Sequence, residues 1–369
     1  MAAVKSSRGA LPRFLLPLGI LALLTLATLA LAITTGSVSI SNAELWQVLS
    51  GGGEPLHRTL VFELRLPRAL SAFGAGGLLA VAGALMQVLL RNPLADPYIL
   101  GLSGGAAVGA LSSMLLGLSA AAVSGSAFIG AMVSAVTVFG LAHGTGSWTP
   151  TRLLLTGVVI ASGWGAAITF MLAVSPSDQL PGMLYWLMGD LAYARSPWPA
   201  LIVLGLISII MLPLGRSLNV LARGQMQAAA LGVSVRALEW TIYIAASLLT
   251  AFAVVTAGSI GFVGLIVPHM LRLVLGNDQR LILPAAALAG GALLTLADTL
   301  ARTLIAPEQL PAGVITALIG VPTFLRPKIS SSTSRSAAAA RRCPSQLSPV
   351  KPGAYSAPMA QAKPPCSTP

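Results

Sequence analysis

The sequence is divided into long apolar runs separated by short polar intervals. Ten runs cover residues 14–34, 69–90, 98–118, 120–141, 152–174, 199–214, 240–257, 261–275, 281–300 and 313–325. A helix needs about 20 apolar residues to cross the hydrocarbon core of a bilayer. Charged residues make up only 9% of the 369 residues, too few to cover a soluble domain of this size. The sequence therefore predicts an all-α, polytopic membrane bundle of about ten transmembrane helices.

Basic residues are unevenly distributed between the polar intervals. Lys5, Arg8 and Arg13 precede the first run, and the intervals on the same side of the predicted bundle carry most of the arginines that follow, up to residue 325. An excess of lysine and arginine marks the cytoplasmic side of a membrane protein. Since an even number of spans returns the chain to its starting side, both termini are predicted to be cytoplasmic.

The composition changes abruptly after residue 325. Residues 326–369 are rich in Ser, Pro, Ala and Arg and contain no acidic residue. Such a segment cannot bury a core, so we predict a transmembrane domain, residues 1–325, followed by a disordered basic tail, residues 326–369. A shifted reading frame is one hypothesis for this end. Because much of the net charge of +12 lies in the tail and in intervals on one side, it does not indicate nucleic-acid binding.

The sequence contains no recognisable catalytic constellation. A phosphate-binding loop needs a lysine, and the chain has none between Lys5 and Lys328. The histidines, His57, His143 and His269, lack the spacing of metal ligands, and both cysteines lie in the tail. We therefore expect a chain that is not an enzyme, has no ATPase site of its own, and binds no metal or cofactor.

Residues 64–105 form the most distinctive stretch. Arg65 and Arg68 precede an apolar segment crowded with glycine and alanine, and the sequence RNPLADPYILG interrupts it at residues 91–101. Small residues allow helices to approach closely in lipid. An irregular backbone at membrane depth is tolerated only where it is enclosed by protein or lines a cavity. This stretch is therefore predicted to lie at the centre of the bundle.

The motifs of this stretch resemble those of the FecCD-type permeases, the membrane subunits of ABC importers for iron chelates, haem and vitamin B12. The matching motifs are LPR at 66–68, GALMQ at 83–87, RNPLADP at 91–97, LG at 100–101, GSIGFVGLIVPH at 258–269, ADTLAR at 297–302 and LPAG at 310–313. The resemblance reaches residue 325 and then stops. It implies a fold like that of the vitamin B12 permease.

The resemblance also implies a function and a set of partners. We expect residues 1–325 to be a permease domain in a bacterial cytoplasmic membrane. A second permease subunit, identical or a close paralogue, would complete the pathway. Two ATPase subunits would hold ATP and Mg, and a periplasmic or lipid-anchored solute-binding protein would deliver the cargo. The expected cargo is siderophore-bound ferric iron, haem or cobalamin, and the expected surroundings are lipid, with no nucleic acid.

Arg65, Arg68 and Arg302 run against the inside bias of positive charge and are expected at the outer mouth. Arginines form bidentate pairs with carboxylates. In the vitamin B12 permease, arginines at the matching positions receive glutamates of the solute-binding protein, so the resemblance implies docking. The alternative is a local ion pair, since Asp298 and Arg302 are four residues apart on a predicted helix.

Residues 215–237 form the largest polar interval on the inner side. Its alanine-rich middle, bounded by glycines, predicts two short helices outside the membrane. The resemblance implies that they enter a cleft of the ATPase. The matching positions are Leu221, Gly224, Ala228, Leu231 and Gly232, with Gln225 where the family often has an acid. The alternative is an ordinary amphipathic connector.

Several polar residues and prolines near membrane depth are candidates for the translocation path or its gate. They are Gln87, Asn92, Pro93, Ser103, Thr149, Thr151, Ser259, Pro268 and His269. Polar residues inside a membrane are functional candidates by default. The alternative is that their side chains hydrogen-bond one helix to another.

A secondary transporter driven by H⁺ or Na⁺ is the alternative function. Such proteins place carboxylates near the middle of the bilayer. Here only Asp298 approaches the membrane, close to its outer face. A membrane receptor without transport is a further alternative, and it would leave residues 215–237 without an ATPase partner.

Overall fold

The computed structural model describes residues 11–36, 40–143, 149–192, 194, 196–306 and 308–323, and every regular element in these ranges is helical. This confirms the all-α class. The tail that the sequence predicts to be disordered, residues 326–369, lies outside the described residues.

The helices follow one another in a simple order. They are α1 (Leu11–Thr34), α2 (Asn42–Leu49), α3 (Pro55–Thr59), α4 (Leu66–Leu89), α5 (Leu102–Leu115), α6 (Ala120–His143), α7 (Pro150–Val174), α8 (Leu180–Met188), α9 (Trp198–Met211), α10 (Gly215–Leu221), α11 (Gln225–Ala230), α12 (Val235–Ala257), α13 (Val263–Leu275), α14 (Gln279–Thr303) and α15 (Ala312–Thr323). A π-helical turn, Leu60–Arg65, joins α3 to α4, and a 3₁₀ turn, Pro97–Leu100, precedes α5.

Six continuous helices in the described part of the chain are long and apolar enough to cross a membrane. They are α1, α3 continued through α4, α6, α7, α12 and α14. The pair α9 and α10, bent by 72°, supplies a seventh candidate, and α5, α13 and α15 are shorter apolar helices. Each of the ten apolar runs thus lies on a helix, but three of the helices are shorter than expected. For α5 and α13 the reason is that each run begins within a break in the backbone.

Helix α4 occupies the centre of the bundle, as residues 64–105 predict. Every residue from Gly74 to Leu89 is buried. Gly76 lies against the backbone of Gly290 on α14, and Gly83 lies against the backbone of Gly264 on α13, so closely that a side chain at either glycine of α4 would overlap a carbonyl group. Backbone-to-backbone contact of this kind requires small residues and replaces the packing that larger side chains provide elsewhere.

Two breaks in the helical backbone meet beside α4. In the first, the carboxylate of Asp96 accepts a hydrogen bond from the N–H of Tyr98 (2.8 Å), and Gly101 has a φ of 67°. In the second, just before α13, Phe262 has a φ of 70°, which is uncommon for a residue with a side chain. The N–H of Ile260 donates to the Tyr98 hydroxyl at 3.2 Å, which links the two breaks directly.

Candidate functional site

Arg68 and Arg302 converge on one buried carboxylate at the end of the α4–α14 pair. Arg68 donates through Nε to both oxygens of Asp298 (3.1 Å each) and through Nη2 to Oδ1 (2.8 Å). Arg302 donates through Nε to Oδ2 at 3.1 Å. Asp298 is 1% exposed. Burial of a carboxylate is tolerated because two guanidinium groups satisfy its charge.

Arg65 lies beside this pair and holds the end of α1. Its Nη1 donates to the carbonyl oxygens of Ile33 (2.8 Å) and Thr34 (3.2 Å). Arg302 reaches the same helix end, where its Nη2 donates to the carbonyl of Ala32 at 3.3 Å. Cations are favoured at the carboxyl end of a helix, where carbonyl groups lack helical partners. The two arginines therefore tie α1 to the core of the bundle.

We call Arg65, Arg68, Arg302 and Asp298 the arginine–aspartate cluster. From the sequence alone, the three arginines are expected to form a patch on the outer face. In the structure their side chains are engaged with the protein, because a buried acid and the end of α1 lie within reach. The ion pair between Asp298 and Arg302, weighed as the alternative, is present. All three arginines nevertheless line an open cavity of about 420 Å³. The docking role remains a prediction.

Two further residues join the cluster that sequence reasoning did not place there. Gln309 accepts a hydrogen bond from Nη1 of Arg68 at 3.0 Å. Asp190 lies 3.9 Å from Nη2 of Arg68, and burial raises the pKa of this carboxyl above its ordinary value. Both residues come from polar intervals far from Arg68 in sequence. The sequence gives one indication of this contact, which is that Gln309, Asp190 and Arg68 are all expected on the outer side of the membrane.

The segment from α10 to α12 lies at the opposite end of α14. Asp278 and Asp298 are 20 residues apart on this helix and its cap, or about 30 Å at the rise of an α-helix. Asn219 of α10 donates to Asp278 (2.8 Å) and accepts from the N–H of Gln279 (2.7 Å). Hydrogen bonds from Arg280 hold the pKa of Asp278 at about 2. These bonds fix α10 to the start of α14.

The two short helices predicted between residues 215 and 237 are α10 and α11. Leu221 on α10 and Ala228 on α11 are buried, whereas Leu231 is 71% exposed. Gly224 (φ 137°) and Gly232 (φ 78°) adopt backbone conformations that other residues rarely take, and the space where a side chain would lie is open at both. The glycines therefore allow the turns at the two ends of α11, and no side chain projects from the surface at these two positions.

Gln225 occupies the position where an acid was expected. Its Nε2 donates to Oε1 of Glu239 on α12 at 2.6 Å. A carboxylate at this position would face another carboxylate. The amide therefore suits this chain, and it directs the side chain inward to α12.

The candidate pathway residues fall into three groups. Gln87, at the end of α4, is 4% exposed and donates to the carbonyl of Leu265 on α13 at 3.1 Å. It also accepts from Arg272, so it connects helices in the way the alternative proposed. Pro268 is buried within α13, and the partly buried His269 follows it.

The other candidates lie at helix breaks and helix starts. Asn92 and Pro93 belong to the first break, where Asn92 Oδ1 accepts from the N–H of Leu94 at 2.9 Å. Ser259 belongs to the second break, and the partly buried Ser103 lies in the first turn of α5. Thr149 caps α7, and both Thr149 and Thr151 are exposed. The structure thus brings Gln87 against α13, the helix that carries Pro268 and His269, and places Gln87 and Pro93 at one cavity.

A second cavity lies near Gln87 and has a volume of about 660 Å³. We call it the arginine cavity. The charged side chains that line it are Arg91, Arg223, Arg272, Arg280 and Asp278. From the sequence, these arginines indicate only which side of the bundle is cytoplasmic. Their convergence could not be predicted because they come from four separate segments of the chain.

Comparison with known proteins places the chain among membrane transporters. The model of the FecCD transport family matches residues 23–326. The permease YvrB of the ABC transporter class from Bacillus subtilis is 39% identical over 317 residues, covering 80% of this chain and 88% of YvrB. The hemin transport system permease HmuU from Yersinia pestis is 41% identical over 316 residues, covering 82% and 92%. The cobalamin import system permease BtuC from Halobacterium salinarum is 44% identical over 273 residues, covering 73% of each chain.

A solved structure supports the same assignment. It is an inward-facing ABC transporter of metal-chelate type, with a TM-score of 0.74 and 31% identity, covering 83% of this chain and 96% of the other. The likeness therefore extends over most of the chain. The chain belongs to the FecCD transport family and is a multi-pass membrane permease of the ABC importer type.

Proposed function

We propose that the chain is the permease subunit of a binding-protein-dependent ABC importer that carries an iron chelate across the bacterial cytoplasmic membrane. Two permease subunits, identical or closely related, form the pathway. The chain has no ATPase site, and energy comes from two separate ATPase subunits that hold ATP and Mg. Both termini are cytoplasmic, so α10 and α11 face the ATPases and the arginine–aspartate cluster faces the solute-binding protein.

The observation that carries this proposal is the surface of the α10–α11 segment. Met226 is 88% exposed and Leu231 is 71% exposed, on a part of the chain that lies outside the long apolar helices. Large apolar side chains that are exposed outside the membrane-spanning helices indicate a protein contact. Buried Leu221 and Ala228 hold the segment on the bundle, and Asn219 fixes its base. A partner that moves this segment therefore acts directly on α14.

The cavity beside the arginine–aspartate cluster supports the docking of a solute-binding protein. Arg68, Arg302 and Arg65 line it, and Glu63 is the acidic residue among its lining groups. A carboxylate of the incoming protein can add hydrogen bonds to the guanidinium edges that Asp298 leaves available, since each guanidinium carries five donors. The arginines would then bind the incoming carboxylate while they keep their hydrogen bonds to Asp298.

The cargo proposed is a siderophore-bound ferric ion, with haem and cobalamin as the other members of the same class. The relatives are named for hemin and cobalamin, and the solved neighbour is of metal-chelate type. A pathway for large chelates has to be wide and weakly binding. Gly163 and Gly165 on α7 face open space and suit such a wall.

Reconstitution tests the proposed function. Proteoliposomes that contain the chain, its ATPase and its loaded binding protein are expected to accumulate radioactive ferric siderophore only when ATP is supplied on the side of the membrane that carries the ATPase. The chain alone is expected to accumulate none under a proton or sodium gradient. Uptake driven by an ion gradient without ATPase would refute the proposal and support the secondary transporter.

Variants of the α10–α11 surface test the ATPase contact. Met226→Asp combined with Leu231→Asp is expected to abolish capture of the ATPase while the protein remains monodisperse in detergent. Leu118→Asp is the matched control, because Leu118 is also exposed (49%) but lies in the turn between α5 and α6. Equal capture by both variants would remove this surface from the proposal.

Replacement of Arg65, Arg68 and Arg302 by glutamate tests receptor docking. Transport stimulated by the binding protein is expected to disappear, because the cavity reverses its charge. Since these arginines also hold Asp298 and α1, a thermal unfolding curve has to accompany the assay. Arg68→Lys keeps the charge and serves as the control. Unchanged stimulation in a folded triple variant would exclude docking at this cluster.

A further inference from the structure

The arginine cavity carries more positive than negative charge. Four arginines and one aspartate line it, which leaves a formal excess of three positive charges. The aspartate is already engaged, since Asp278 accepts from Arg280 (2.8 Å) and from Asn219 (2.8 Å). Glu239, which does not line the cavity, attracts Arg91 electrostatically. Its carboxylate also accepts a hydrogen bond from Gln225 at 2.6 Å.

Arg272 supplies the innermost charge. Its guanidinium is partly buried and donates to two neutral groups, the side-chain oxygen of Gln87 and, at 3.4 Å, the carbonyl of Ala84. Arg91 and Arg223 are exposed around the same cavity. A partly buried guanidinium with neutral partners has unused capacity for an anion, because neutral acceptors do not balance its charge.

Three of the four arginines of the cavity also lie near the carboxyl end of a helix. Arg91 follows α4, Arg223 follows α10, and Arg272 is in the last turn of α13. Cations are favoured there. This preference explains where the arginines lie along their helices. It does not explain why they surround one cavity of about 660 Å³, which is within the usual size range of ligand sites.

We propose that the arginine cavity binds a phosphate ester, either the headgroup of an anionic phospholipid or a soluble phosphate ester. The planar forks of guanidinium groups match phosphate oxygens in pairs. The volume accommodates a phosphate together with its organic group. The cavity lies where α4 and α13 end. Basic pockets between the ends of membrane helices are known sites for anionic lipid headgroups.

The experiment uses the full chain, purified in an uncharged detergent, and two probes. The lipid probe is dioleoyl phosphatidylglycerol in mixed micelles, with dioleoyl phosphatidylcholine as the zwitterionic comparison, and the soluble probe is glycerol 3-phosphate. Binding is measured by calorimetry and by native mass spectrometry. The test variant is Arg91→Gln combined with Arg223→Gln. The control is Arg216→Gln combined with Arg236→Gln, which removes the same charge from exposed positions outside the cavity lining.

Binding of either probe is expected to weaken about tenfold or more in the test variant, since it loses charge-assisted hydrogen bonds. The control is expected to change it by less than threefold. Binding of phosphatidylglycerol alone assigns the cavity to lipid, and binding of glycerol 3-phosphate alone assigns it to a soluble ester; both outcomes support the proposal.

Three results would overturn it. The first is that neither probe binds. The second is that both variants lose binding equally. The third is that the test variant loses thermal stability while its affinity for the probe is unchanged, which would show that the arginines only stabilise helix ends. If neither probe binds and capture of the ATPase falls selectively in the test variant, the cavity belongs to acidic side chains of that partner.

Discussion

Replacement of Asp298 by asparagine is expected to destabilise the bundle strongly. The aspartate is 1% exposed and accepts hydrogen bonds from Arg68 and Arg302 at 2.8–3.1 Å. Asparagine keeps the shape but removes the charge that both guanidinium groups share. Breaking a buried ion pair costs about 3–5 kcal/mol. We expect about 3 kcal/mol here, because the side chain of Arg68 is 14% exposed and can recruit water from the adjoining cavity.

Thermal unfolding in detergent measures this effect. At about 2 °C per kcal/mol for a large domain, the apparent melting temperature should fall by about 6 °C. Glu308→Gln is the matched control, because Glu308 is an exposed acid at the same end of the molecule. A melting temperature for Asp298→Asn that is no lower than that of Glu308→Gln would refute the claim that this carboxylate holds the cluster together.

Three further perturbations probe the contacts inside the bundle. Gly83→Ala is expected to cost about 1–3 kcal/mol or more by overpacking against α13. Gly163 faces open space inside α7, so Gly163→Ala should cost nothing in the same unfolding assay and can stabilise by up to about 1 kcal/mol. Tyr98→Phe removes the acceptor for the N–H of Ile260 and should cost about 1–3 kcal/mol, measured by thermal unfolding. Asp278 has a pKa of about 2, below its ordinary 3.8. Its contribution should be complete above pH 4 and disappear as the pH falls toward 2, and Asp278→Asn should abolish this loss in an acid titration.

The positions of the main helices along the chain could be predicted from the lengths of the apolar runs, because a bilayer imposes a minimum length on each span. The central place of α4 could be predicted as well, because its many glycines and alanines allow neighbouring helices to approach it closely in lipid. Three helices were expected to be longer than they are. The runs that form α5 and α13 begin within breaks stabilised by the hydrogen bond from Ile260 to Tyr98, a contact between distant segments.

The arginines illustrate the limit of sequence reasoning. Arg65, Arg68 and Arg302 could be assigned to one side of the membrane from the topology. Asp298 was recognised only as a local partner of Arg302, because a spacing of four residues is visible in the sequence. The bidentate bond from Arg68 to the same carboxylate depends on the antiparallel register of α4 and α14. That register follows from glycine contacts that no single segment encodes.

The glycine contacts of α4 have a mechanical consequence. Where Gly76 and Gly83 bring backbone against backbone, α4 cannot slide past α13 or α14 without steric overlap. We therefore expect these three helices to move as one rigid body. Among the long helices, α7 offers the contrast, since its fully buried residues are Leu153 and Gly157. Opening and closing of a pathway is then expected to move segments with few buried residues, such as α7 beyond Gly157, relative to these three helices.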